Sequence, residues 1–139
     1  MDKNLQQAYL NTDYIIDDEL GFWQINIGDT DRPLSRYLNT FENPTAAFIT
    51  AYNPMSKRLK EGQNKQRLQQ LQQAVGKLGL ASCKGYGLSQ QNDWPQEHSL
   101  LITNITKQQA SQLAKDFQQA AYVWINEHGL VSLVGQQDY

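Results

Sequence analysis

"FITAYNPMSKRLKEGQNKQRLQQL", residues 48–71, begins as an apolar strand and ends as a helix. The apolar run "TAAFITAY" stops at Asn53-Pro54, because a proline disfavours helical backbone in the residue before it and offers no N–H to a ladder. From about Gly62 to Leu78 the pattern is helical, with Gly79 placed to end it. With Asn64 set at zero and about 100° per residue, Leu68, Leu71, Val75 and Leu78 fall within roughly 40° of it. Arg67 lies about 60° to one side. An asparagine and an arginine therefore occupy the N-terminal end of an apolar stripe, directly after Asn53, Pro54 and Ser56. A guanidinium turned inward requires partners, since an unpaired buried charge is very costly.

The remaining chain supplies the other elements. "NLQQAYL" suits a short helix, and "DYIIDDELGFWQINIG" reads as a hairpin in which Trp23, Ile25 and Ile27 alternate with polar residues. "DRPLSRYLNTF" has Pro33 early in a helix and Leu34, Tyr37, Leu38 and Phe41 at helical spacing. "ASCKGYGLSQQNDWPQE" reads as a Gly-rich loop with room for a short strand, and "HSLLITNI" as the next strand. Thr106-x-x-Gln109 is a capping box ahead of a stripe formed by Ala110, Leu113, Ala114 and Phe117. "AAYVWINEHGLVSLV" reads as a strand, a turn at His128-Gly129 and a final strand. Strands and helices mix without strict alternation. The expected fold is α+β: a single two-layer domain over 1–139, with a mostly antiparallel sheet and about three to four helices packed mainly on one face.

Length and charge narrow the functional classes. A chain of 139 residues buries roughly two-thirds of its unfolded surface, enough for a core without disulfides or metal. The formal net charge of -2, from 12 basic and 14 acidic residues, lacks the one-signed field of a nucleic-acid or membrane-surface binder. There is no signal-peptide pattern and no apolar run of the roughly 20 residues that span a bilayer. A cytoplasmic protein is the simplest expectation. Many of the 19 glutamines, among them Gln69-Gln70, Gln72-Gln73 and Gln108-Gln109, lie within patterned helices, as a solvated surface would require.

Chemistry has few places to reside. Cys83 is the only cysteine, and no His/Asp arrangement marks it as a nucleophile. His98 and His128 have no ligands at metal spacing. No phosphate-loop or dinucleotide motif occurs, and no cofactor is expected. What remains is the polar set around Arg67. The guanidinium favours a bidentate carboxylate, and Glu97, in "WPQEHS" before a core strand, is the candidate partner. Asn53-Pro54-Met55-Ser56 also fits a plain turn, and an Arg67–Glu97 pair would also fit a purely structural role.

Four stretches together resemble a family of small bacterial proteins, domain of unknown function 3293. They are "AFITAYNPMS"; Asn64 with Arg67; "W-P-x-E-x-S-L-L-I"; and "A-x-x-L-A-x-x-F-x-Q-x-A-x-V-W". The resemblance runs from about Tyr9 to Val134. It implies a common site formed by Ala51, Asn53, Pro54, Ser56, Asn64, Arg67, Trp94, Glu97, Ser99 and Gln119, and implies no reaction. Gln118 stands where the family usually has Gly, and Ala120 where it usually has Asn.

Three functional readings are compatible with these residues. The first is a binding or regulatory domain whose pocket of Asn53, Ser56, Asn64, Arg67, Trp94, Glu97, Ser99 and Gln119 holds a small anionic molecule or an acidic group of a protein partner. The second is an enzyme with Glu97 as general acid/base and Arg67 as anion stabiliser. The third is an interaction module using the sheet edge near Tyr122, Trp124 and "LVSLV". Oligomeric state is left open, and neither nucleic acid nor membrane is an expected partner.

Overall fold

The computed structural model describes residues 1–19 and 21–136. In chain order the elements are α1 (Lys3–Leu10), β1 (Thr12–Asp18), β2 (Gly21–Ile25), α2 (Arg32–Leu38), β3 (Ala46–Thr50), α3 (Glu61–Lys77), β4 (Ser82–Ser89), β5 (Glu97–Thr103), α4 (Lys107–Asp116), β6 (Ala121–Ile125) and β7 (Val131–Gly135). The strands form one sheet in the order β2-β1-β4-β5-β3-β6-β7, curled into a half-barrel. Every pairing among the described strands is antiparallel. The α+β class read from the sequence is the observed one. No helix of the described residues is long and apolar enough to cross a membrane.

Period-two alternation divides the sheet residues between two faces. On one face Ile49, Ala51, Leu100, Ile102, Tyr122 and Trp124 pack against the stripes of α3 and α4, among them Leu71, Val75, Ala110 and Leu113. On the other face Tyr14, Ile16, Phe48, Leu101 and Val123 pack with Leu34 and Leu38 of α2. Leu71 and Leu38 are both fully buried, and each such side chain contributes about 1.5–3 kcal/mol relative to exposure. The two longest helices do share one face, but the sheet is apolar on both sides and α2 covers part of the second. The two-layer expectation is modified accordingly. Leu78, placed on the stripe by its spacing, instead caps α3 and is 41% exposed.

The segment read as a Gly-rich loop contains the eight-residue strand β4. Its alternation was masked because Gly85 and Gly87 occupy positions on the α2 face. A Cβ at Gly85 would lie 2.3 Å from the Ile15 carbonyl oxygen and 2.9 Å from the Phe48 ring. The absent side chain lets Phe48 reach across the strand to meet Tyr14 edge-on, with ring centroids 5.3 Å apart. Glycine here serves close packing, not a turn.

Both long helices end in the same motif. In α3 the Leu80 N–H donates to the Val75 carbonyl and the Gly79 N–H to that of Gly76, with Gly79 at φ +73°. In α4 the Gln119 N–H donates to Ala114 and the Gln118 N–H to Lys115, with Gln118 at φ 57°. Each is a Schellman end that places its C′ residue in the left-handed region. Gln118 carries there a side chain that glycine would spare, at a position where the resembled family usually has Gly. Gln118→Gly is therefore expected to stabilise the fold by about 0.5–1 kcal/mol, measured by urea denaturation. A loss of similar size would contradict this account of the helix end.

Candidate functional site

The polar set at the strand-to-helix handover forms a knot joining four segments. β3 runs out at Thr50, and the chain turns through Asn53 (φ 49°), Met55 (φ 55°) and Ser56 (φ 60°), all left-handed and none glycine. Such conformations cost on the order of 1–3 kcal/mol each and persist only where neighbours over-determine them. Asn53 is held on every side. Its N–H donates to Asn64 Oδ1 at 2.9 Å, and its Oδ1 accepts from Asn64 Nδ2 at 2.8 Å and from the Leu59 N–H at 2.9 Å. Its Nδ2 donates to Glu97 Oε2 at 2.7 Å.

Arg67, three residues beyond Asn64 on α3, fixes the second half of the knot. Its Nε donates to the Ala51 carbonyl and its Nη2 to the Phe117 carbonyl, both at 2.6 Å. Its guanidinium carbon also lies 5.9 Å from the Phe117 ring centroid. Gln119 Nε2 donates to the carbonyls of Tyr52 and Phe117, and the Met55 N–H donates to the Gln118 carbonyl. The end of β3, the start of α3 and the end of α4 are thus tied through backbone acceptors at element ends that no ladder satisfies. Among the described residues no ion pair joins Arg67 to Glu97. That expected pairing is corrected: two orphan carbonyls at a strand end and a helix end take up the donor fork, and Asn53 reaches the carboxylate first.

In front of the knot, on the α2 face of the sheet, lies a cavity of about 640 Å³. The register builds it. Tyr14 pairs with Gly87, Gly87 with Glu97, and Thr50 with Ser99, so side chains from β1, β3 and β5 share one wall over a floor kept low by Gly87. Residues of α1 close the opposite side, with Trp94, Met55 and Ser56 also on the lining. Helix α1 has no buried residue of its own. Among its ties to the sheet, the Tyr14 hydroxyl donates to the Tyr9 carbonyl at 2.8 Å.

Glu97 is the half-buried charge on this wall. Burial pushes its carboxyl above the ordinary value of 4.5, against the lowering effect of hydrogen bonds from Asn53 and Trp94. The native state therefore holds this proton to higher pH than the unfolded chain does. The resulting stability is present below the unfolded value and is lost as pH rises through the folded one. Glu97→Gln removes the titration while keeping the shape. The stability of the wild type relative to this variant is expected to fall as pH rises from about 4.5, and paired thermal melts across that range check it. A flat difference would mean that water reaches the carboxyl freely, and a rising one that its hydrogen bonds outweigh its burial.

Of the eight residues nominated from sequence, Asn53, Ser56, Trp94, Glu97, Ser99 and Gln119 line the cavity. Asn64 and Arg67 do not; they stand behind the wall and hold it. Sequence reading missed Tyr14, Phe48 and Gly87, which the strand order brings to the same wall. Their inward facing follows from alternation, but adjacency of β1, β4, β5 and β3 has no local signature. Among the described residues, no three of His, Cys, Asp and Glu converge as a metal site would require.

The chain matches the family described as Protein of unknown function (DUF3293) over residues 49–122, more than half its length, and belongs to that family. The matched segment begins inside β3 and ends inside β6, so it contains the knot and the β5 side of the cavity. Comparison with curated proteins and with solved structures gave no match.

Proposed function

We propose that this chain is a binding domain that holds a small molecule in the cavity between α1 and the sheet, with Glu97 and Asn53 as the polar end. The observation that carries this is the pairing of a half-buried, fixed carboxylate with an apolar and aromatic wall along the same cavity. Sites for small molecules combine a few convergent polar groups with such walls. The strained turn at Asn53, Met55 and Ser56 supports the same reading, because strain of this kind collects where geometry must be held. The sequence reading assigned an anion to Arg67. With Arg67 committed to Ala51 and Phe117 behind the wall, that assignment loses its cation.

The experiment is a thermal-shift screen of a small-molecule library on the wild type and on Gly87→Val. A Cβ at Gly87 meets only Thr12, at 3.4 Å, so valine fills the cavity in a strand position that suits it. Hits are expected to raise the wild-type melting temperature, as a saturating ligand stabilises by a few kcal/mol. The variant, itself expected to change stability by less than about 1 kcal/mol, should lose those shifts. A library without hits, or hits unaffected by Gly87→Val, would overturn the proposal.

A second reading, an enzyme with Glu97 as general acid/base, has one observation in its favour. A carboxyl whose proton affinity is raised by burial and which also faces a cavity is suited to proton transfer. Turnover of a cavity-bound hit that Glu97→Gln abolishes, with binding intact, would establish it.

A further inference from the structure

The cavity has one sign of charge. Its charged side chains are Asp2, Asp93 and Glu97, and among the described residues no Lys, Arg or His lines it. Most side-chain hydrogen-bond donors at its inner end are already engaged. Ser99 Oγ donates to the Glu97 carbonyl, Thr50 Oγ1 to the His98 carbonyl, Gln119 Nε2 to Tyr52 and Phe117, and the Tyr14 hydroxyl to Tyr9. Asn53 gives one of its two amide hydrogens to Glu97 itself. What the wall can still offer is acceptor capacity, since a carboxylate has about four lone-pair positions and the Asn53 amide occupies one of them. Trp94, Tyr14 and Phe48 share the lining with that carboxylate. The Trp94 ring already attracts a cation, the guanidinium carbon of Arg58, which is not on the lining, at 5.9 Å.

We propose that the ligand of this cavity carries a positive charge, an alkylammonium or guanidinium group seated against Glu97 and the Trp94 ring. The inference rests on the binding role given above and names its chemical class. An anion or a carbonyl-rich ligand would meet mostly engaged donors and three carboxylates. A cation gains the remaining acceptor sites and the aromatic faces together. The opposite face of the sheet supplies the contrast. A smaller cleft of about 320 Å³ there is lined by Lys65, Lys84 and His98 with no acidic residue, so an anion has its better place outside the cavity.

The test is an NMR titration of the isotope-labelled full chain with three probes that share a ring and differ in charge: benzylamine, benzyl alcohol and benzoate. Benzylamine is expected to shift the Trp94 indole and Asn53 side-chain resonances with a Kd about tenfold below that of benzyl alcohol. Glu97→Gln should remove that preference and leave the affinity for the alcohol in place. If this variant misfolds, the ranking on the wild type decides alone, with Trp94→Leu as the second variant, expected to reduce the preference. Benzyl alcohol or benzoate binding in the cavity as tightly as the amine would overturn the charge inference while leaving a binding cavity. No shift at cavity residues with any of the three would overturn it as well, and the Gly87→Val screen then decides separately whether the cavity binds at all.

Discussion

Asn53→Ala is expected to lower the stability of the fold by about 4 kcal/mol, from two sources that add. Alanine at φ 49° meets the left-handed backbone without the local polar side chain that eases it, at about 1–2 kcal/mol. Truncation also strands Asn64 Nδ2, the Leu59 N–H and one Glu97 oxygen, each of which bonds the Asn53 side chain. A stranded buried group costs about 1–3 kcal/mol, less where water re-enters, as it can from the cavity beside Glu97. Asn53→Gly separates the two sources: it keeps the backbone freedom, loses the side chain, and should cost about 1 kcal/mol less than alanine. Urea denaturation of the three proteins reads both differences. A cost below about 1 kcal/mol for alanine would show that the turn is only a turn.

Arg67→Ala is expected to cost about 3 kcal/mol, because hydrogen bonds from a charged donor are worth about 1.5–3 kcal/mol each and those to Ala51 and Phe117 are lost. The Phe117 carbonyl keeps Gln119 as a donor, whereas the Ala51 carbonyl at the strand end loses the guanidinium. Arg67→Lys should recover less than half of the loss, since an ammonium cannot span two carbonyls that a planar fork reaches together. The double-mutant cycles differ in kind. Asn53 and Glu97 touch and should couple, while Arg67→Ala and Glu97→Ala should add within about 0.5 kcal/mol. Strong coupling between Arg67 and Glu97 would restore the ion pair expected from sequence and contradict the arrangement described.

The sequence carried the elements better than their neighbours. Asn64 was legible as inward-facing because helical spacing fixes direction, and Glu97 because it precedes a core strand. Arg67 was correctly turned inward, but its partners were not legible. The demand for a counter-charge suggested a carboxylate, whereas two backbone carbonyls at the ends of β3 and α4 are invisible as acceptors in a sequence. β4 was hidden because its inward positions are glycine, which removes the alternation that marks a strand. The cavity depends on strand order, β1 beside β4 and β5 beside β3. That order rests on long-range pairing, so no window of residues around Tyr14 or Phe48 reveals it.

The most direct test of the binding role is a crystal structure of the chain with the strongest hit from the library screen. The hit is expected between Glu97, Tyr14 and Trp94, beneath α1, with the Asn53–Glu97 hydrogen bond retained. A hit seated instead in the cleft beside Lys65, Lys84 and His98, with the first cavity unchanged, would contradict it.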